Sequence, residues 1–335
     1  MKLLKIIFTI IATLIGAGFA SGQEICTFFY IYGTNGLVGI VICCFFFAFV
    51  IYKVLVISIT HNLENYKSFI TLLTHNKGSK AINTIVNLFL LVTFFIMIAG
   101  FGSYFSQEIG ISTYIGSGIL SLLCFVTFMT RADGIIKISS FLVPILIFFI
   151  LLIGYKNFTF IDLNSVLNMK PIKSNCVWLL SPLIYTSYNS ILLIPGLVNF
   201  KKYLYTKHGA LIVAIISSII LLLLSMSIFF ILTKVDIDII KLEMPVIYVI
   251  SHYYKSFIQI YSFIILASIY TTAISIGISF LNNLSLHKNK YPLVVLIMCI
   301  TAFIVSKIGF SNLVTNLYPL FGFLGLIQLT LLGIF

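Results

Sequence analysis

The chain has 335 residues, 61% hydrophobic and only 8% charged, with a mean hydropathy of +1.17, whereas ordinary soluble domains carry about 25% charged residues. Lys and Arg number 20 against 8 Asp and Glu, a net charge of +12, yet these cations stand among long Ile, Leu and Phe runs. Such figures exclude a soluble enzyme and a nucleic-acid-binding domain, and leave an all-α polytopic membrane protein.

Apolar stretches of about 20 residues predict ten transmembrane helices, over 3–30, 36–59, 83–107, 113–130, 134–155, 175–199, 209–233, 256–281, 291–307 and 311–334. Nothing alternates in ten-residue strands as a membrane barrel would. Lys2 and Lys5 ahead of Ile6 to Ile15 imitate a signal peptide, but apolar character resumes at Ile25, so this segment reads as a retained span.

The first span carries Gly16-Ala17-Gly18-Phe19-Ala20-Ser21-Gly22 at its middle, followed by Gln23-Glu24. Two readings are open. The run could unwind the helix and free carbonyls and amides for an ion and a solute, or Gly18 and Gly22 could form a GxxxG packing stripe. Glu24 is the only acidic residue well inside an apolar span, which makes it a candidate functional carboxylate, either a proton carrier or part of a structural or ion site. Lys53, deep in the second span, reads as a snorkelling side chain. In the third span Gly100, Gly102, Ser103, Tyr104 and Gln107 form a small-sided polar stretch ending at Glu108, with Tyr104 a candidate gate. The sixth has Ser181-Pro182 and Pro195-Gly196 around Leu183 to Ser190, with Tyr185, Thr186, Ser187 and Asn189 as candidate solute-binding residues and Tyr188 as a second candidate gate of lesser weight. Helix breakers therefore fall in both the first and the sixth spans. In the eighth, Thr271, Thr272 and Ser275, one turn after Ser268, offer hydroxyls to a hard cation such as Na⁺ or to their own helix carbonyls.

The loops orient and divide the chain. With the N-terminus cytoplasmic, the inner segments hold twelve cations (Lys2, Lys5, Lys67, Lys77, Lys80, Arg131, Lys137, Lys201, Lys202, Lys207, Lys288 and Lys290) and the outer segments seven (Lys156, Lys170, Lys173, Lys234, Lys241, Lys255 and Lys307). The positive-inside rule then places both termini inside, and anionic lipid accounts for the net charge. Short interfacial helices are expected at Leu63 to Leu73 and Met244 to Tyr254. The 156–174 loop separates residues 1–155 from 175–335, five spans each, and an odd number per half sets the halves in opposite orientations, the condition for an inverted repeat.

Cys26, Cys43, Cys44, Cys124, Cys176 and Cys299 read as buried small hydrophobes rather than as metal ligands, since no CxxC pair occurs. The five His fall near span ends or in loops, and no Ser-His-Asp, HExxH or Walker pattern supports an enzyme.

The string Gly16 to Ile25 followed by Phe28-Phe29 and Tyr32-Gly33 resembles the signature of the YkvI-type bacterial membrane proteins, a branch of the amino acid-polyamine-organocation superfamily. Tyr185, Tyr188 and Asn189, then Thr271-Thr272-Ala273, and Tyr318-Pro319 with Gly322 extend the likeness along nearly the whole chain. The resemblance implies a LeuT-like fold with broken first and sixth helices around a central solute site. It also implies, where sodium couples, a cation between the Ile15 or Gly16 and Gly18 carbonyls and Thr271 and Thr272. Gln23-Glu24 departs from the usual sodium-coupled sequence, leaving proton coupling or no coupling open, and the DPGN and Met motifs of the metal-ion branch are absent. The expected function is secondary transport of a small polar solute, an amino acid or related amine, across a bacterial cytoplasmic membrane. Na⁺ or H⁺ would be the coupling ion, without other cofactor or resident metal. A nutrient- or germinant-sensing receptor subunit that signals to a partner protein is the alternative.

Overall fold

The computed structural model describes residues 2–63, 65–74, 78–130, 135–160, 166–172, 176–200, 204, 206–235, 238–284, 287 and 289–334. The described residues contain helices and no strand. Among the cations used for orientation, Lys77, Arg131, Lys173, Lys201, Lys202 and Lys288 lie outside them.

The first span is interrupted twice. Helix α1 (Lys2–Leu14) stops before Gly16, which is extended at φ −94° and ψ −172°; α2 (Ala17–Ala20) is a single turn, and α3 (Gln23–Phe28) follows the left-handed Gly22 at φ +83°. A side chain at Gly22 would be strained by that φ and would collide with Val246. The unwinding reading therefore replaces the packing-stripe reading. Then come α4 (Thr34–Thr60), α5 (Tyr66–Thr74), α6 (Ser79–Tyr104) continued by a π-helical turn over Phe105–Ile109, α7 (Thr113–Thr130) and α8 (Ile135–Phe160).

The second part begins with a 3₁₀ turn, Cys176–Leu179, followed by α9 (Ser181–Asn199), α10 (Lys207–Leu232), α11 (Pro245–Tyr253), α12 (Ile258–Asn283), α13 (Tyr291–Val305) and α14 (Phe310–Ile334). Among the described residues eight helices are long and apolar enough to cross a membrane, and Leu3–Leu14 and Val143–Thr159 are shorter apolar segments. The first segment is short because the chain unwinds after Leu14.

The sixth span departs from expectation, since α9 runs unbroken from Ser181 to Asn199. Pro182 occupies the first turn, where a missing N–H leaves no helical bond unmade. Pro195 falls in the last turn and a half, so its missing donor affects only the end of the helix. The discontinuity lies ahead of Ser181, at the 3₁₀ turn. The expected interfacial helices also change character. Leu63 to Leu73 shifts to Tyr66–Thr74 and buries Phe69, Ile70 and Leu73, while α11 buries Pro245, Val246, Ile247, Val249 and Ile250 against the protein.

Packing sets the break at the centre. Its α2 turn lies against α6 and α12, and α3 lies against α9, α10 and α14. An unwound segment at membrane depth needs partners for its backbone groups, and neighbouring elements supply them. The buried Tyr261 hydroxyl of α12 donates to the Ala20 carbonyl at 2.7 Å, and the Val246 amide of α11 donates to the Ser21 carbonyl at 2.9 Å. Tyr261→Phe leaves the Ala20 carbonyl without that donor and is expected to destabilise the folded protein by about 1–3 kcal/mol, read as a lowered melting temperature in detergent; an unchanged melt would contradict this role.

Candidate functional site

Glu24 opens α3 and is 3% exposed. Its carboxylate turns back across the break and lies against Gly18, where an added Cβ would strike it, and beside the Phe19 backbone amide. From α9 the Tyr188 hydroxyl donates to Glu24 Oε2 at 2.5 Å and the Tyr185 hydroxyl at 3.3 Å. These tyrosines are three residues apart, so a continuous helix aims both at one point; a break between them would have dispersed them. Among the described residues no basic side chain reaches Glu24.

Aromatic rings pack around the two tyrosines that hold the carboxylate. Phe28 meets Tyr185 and Tyr188 with centroids 5.2 and 5.5 Å apart, Phe29 and Phe47 meet Tyr185 at 5.1 and 6.0 Å, and Tyr318 of α14 stacks on Tyr188 at 4.7 Å. Phe89 of α6 closes the ring against Tyr188 and Tyr318 at 6.1 and 6.2 Å. A small pocket adjoins this cage between α1, α4 and α10, sharing Phe29, Phe47 and Tyr185 with it.

The other sequence candidates distribute unevenly. Ile15 closes the last helical bond of α1 to Ile11, Gly16 has open space where a Cβ would be, and Ala17 is fully buried. The Ser21 hydroxyl donates to the Gly18 carbonyl at 3.1 Å and accepts from the Gln23 amide at 3.3 Å. Thr186 donates to Pro182 within its helix and lies 3.3 Å from Cys43 Sγ, Asn189 donates to the Tyr185 carbonyl at 3.0 Å, and Ser187 is fully buried against the Gly325 backbone. Tyr104 packs on Phe105 and makes no bond to Glu24. Tyr188, given the lesser weight from sequence, makes the shorter bond. Lys53 lies 6.0 Å from the Phe49 ring.

In α12 the Thr271 hydroxyl donates to the Ser268 carbonyl in its own helix at 3.1 Å, while Thr272 and Ser275 are half-buried. The Gly18 carbonyl already accepts from Ser21. The Thr271 hydroxyl and the Gly18 carbonyl, both candidate cation ligands, thus each have a local partner.

A second polar cluster seals the end of the site toward α11. Glu243 Oε2 accepts from the Ser311 amide at 2.6 Å and from the Ser103 hydroxyl at 3.3 Å, and Gln23 Nε2 donates to the Ser311 hydroxyl at 2.6 Å. Gln107, in the π-helical turn, grips Met244 with both amide atoms, at 2.9 and 3.0 Å. Nothing local in the sequence around Glu243 shows that Ser103 and Ser311 will meet it.

No family model matches the chain. It is 28% identical to the uncharacterized membrane protein YkvI of Bacillus subtilis, over 96% of this chain and 92% of that protein. It is also 28% identical to the uncharacterized protein YyaD of the same organism, over 98% and 95%. Among solved structures, a manganese transporter of Eremococcus coleocola superposes with a TM-score of 0.66 at 15% identity, covering 98% of this chain and 77% of that one. The chain is thus a multi-pass membrane protein with the LeuT-type fold of that transporter, similar along nearly its whole length to YkvI and YyaD.

Proposed function

We propose that this protein is a secondary transporter of a small polar solute, an amino acid or related amine, moving it across a bacterial cytoplasmic membrane by alternating access. The observation that carries the reading is the buried Glu24 carboxylate, held over an unwound helix by two tyrosines and, among the described residues, facing no basic side chain. A carboxylate at membrane depth is costly without a counter-charge, and a site that takes its counter-charge from a proton or a passing solute has a use for that cost.

In this reading the chain has ten spans in two inverted halves of five, with both termini cytoplasmic. Helix pairing supports it: α4 packs on α10, α6 on α12, α7 on α13 and α1 on α9, which are the second with seventh, third with eighth, fourth with ninth and first with sixth spans. The unwound break between these pairs is where such repeats bind solute. Manganese is not carried over from the structural neighbour. The first span has no metal-branch motif, and among the described residues no three His, Cys, Asp or Glu converge.

Gly18→Leu puts a side chain where the Glu24 carboxylate rests. Uptake of labelled solute into proteoliposomes is expected to fall to background while the protein still inserts and purifies; normal uptake would refute the site. Because Thr271 satisfies its own helix, we assign coupling to Glu24, whose titratable neighbours are Tyr185, Tyr188 and Tyr318. Uptake is expected to be unchanged when K⁺ replaces Na⁺. A Na⁺ requirement would move coupling to Ile15, Gly18, Thr271, Thr272 and Ser275. Solute binding without accumulation would turn the reading to a receptor acting through a partner protein.

A further inference from the structure

Hydroxyls in these helices commonly bond a carbonyl three or four residues back, as those of Ser58, Thr93, Thr127 and Ser190 do. Helix α10 departs from this habit. Its Ser218 hydroxyl is buried without a partner among the described residues, and Ser225, 7% exposed, makes no hydrogen bond to them through its hydroxyl either. Seven residues are about two helical turns, so both serines lie on one side of α10, with Leu221 and Leu222 between them. That side faces α4, where Cys44 Sγ donates to the Ser218 carbonyl at 3.2 Å. A buried hydroxyl without a partner is costly.

The small pocket beside the tyrosines opens onto the same seam. Cys43 and Cys44 of α4, Leu221 and Ser225 of α10 and Tyr185 of α9 line it, and it has room for about one water molecule. A buried water needs several polar neighbours, and the protons around this pocket are already distributed in a way that suits one. The Cys44 thiol gives its proton to Ser218. Thr186 gives its own to Pro182, so Cys43 is the donor in the 3.3 Å contact between Cys43 and Thr186. Tyr185 gives its proton to Glu24. Both sulfurs and the tyrosine oxygen are left as acceptors, while Ser225 has a proton to give.

We propose that the pocket is the site of one ordered water, which accepts from Ser225 and donates to the Tyr185 oxygen and to a cysteine sulfur, and that Ser225 is thereby a positioning residue for Tyr185. A hydroxyl that accepts a hydrogen bond donates more strongly through its own proton. The water therefore strengthens the bond from Tyr185 to Glu24 and fixes its direction, tying α10 to the carboxylate of α3 through α9. The link stands whether the protein transports or senses.

The test is X-ray hydroxyl-radical footprinting of the purified full-length protein, in which radicals formed from an ordered water oxidise the side chains beside it. Tyr185, Phe47 and Cys43 line the pocket; Tyr261, Phe94 and Cys124 are buried as well and do not. The first three are expected to be oxidised and their counterparts to stay unlabelled. After brief mixing into heavy-oxygen water, the label at Tyr185 is expected to acquire the heavy isotope more slowly than the label at the exposed Tyr253, because an ordered water exchanges slowly. Ser225→Val and Ser225→Thr introduce side chains of nearly equal volume that differ in the hydroxyl. Labelling of Tyr185 and Phe47 is expected to be lost with Ser225→Val and kept with Ser225→Thr. Carbodiimide modification of Glu24 is expected to be faster with Ser225→Val than with Ser225→Thr, since a carboxylate held less firmly by Tyr185 is freer to react. The footprint of the unmodified protein decides on the water even if Ser225→Val fails to fold. No label at Tyr185 and Phe47, isotope uptake as fast as at Tyr253, or equal labelling with Ser225→Val and Ser225→Thr would overturn the water site. The expected footprint with equal carbodiimide rates in the two variants would keep the water and overturn the positioning role.

Discussion

The structure depends on one carboxylate buried inside an apolar helical protein. Glu24 is buried at the junction of a broken helix, and its surroundings read as the consequence of keeping it there: two tyrosine hydroxyls aimed by one helix face, a glycine that leaves room for the carboxyl group, and rings that exclude water. Removing any one of these does not give a simpler core. It gives a buried anion with fewer partners, which is the more expensive state.

The break and the carboxylate explain one another. Gly16 and Gly22 let the backbone leave the helix on either side of a single turn, and the backbone groups so released are met by Tyr261 and Val246 rather than by lipid. Val246 belongs to α11, which is also fastened by Gln107 through Met244, while its neighbour Glu243 bonds Ser103 and Ser311. One end of the site is therefore closed by a short helix and the two residues before it, whose hydrogen bonds run to Ser21, Ser103, Gln107 and Ser311.

Much of this was legible in the sequence, and the reasons differ residue by residue. Apolar run length gave the eight helices long enough to cross a membrane among the described residues, because the bilayer thickness fixes how many residues a helix needs. The Gly16 to Gly22 run announced the break, since it places three glycines, two alanines and a serine within seven residues of an apolar span. The sixth span misled because proline position matters more than proline presence: Pro182 starts a helix, and Pro195 comes too late to divide one. Tyr188 was undervalued against Tyr104 because both are tyrosines near polar neighbours, and only the direction of α9 shows which one meets Glu24. Glu243, Ser311 and Tyr261 lay beyond reach, as their partners are more than 65 positions away along the chain.

The central claim is that Glu24 lies at the solute-binding site. Its most direct test is labelling of the purified protein with a hydrophobic carbodiimide, mapped by mass spectrometry, with and without amino acids and the corresponding amines, each added singly. The account predicts modification at Glu24 that at least one of these solutes slows. Modification of Glu24 at the same rate under every condition would contradict it.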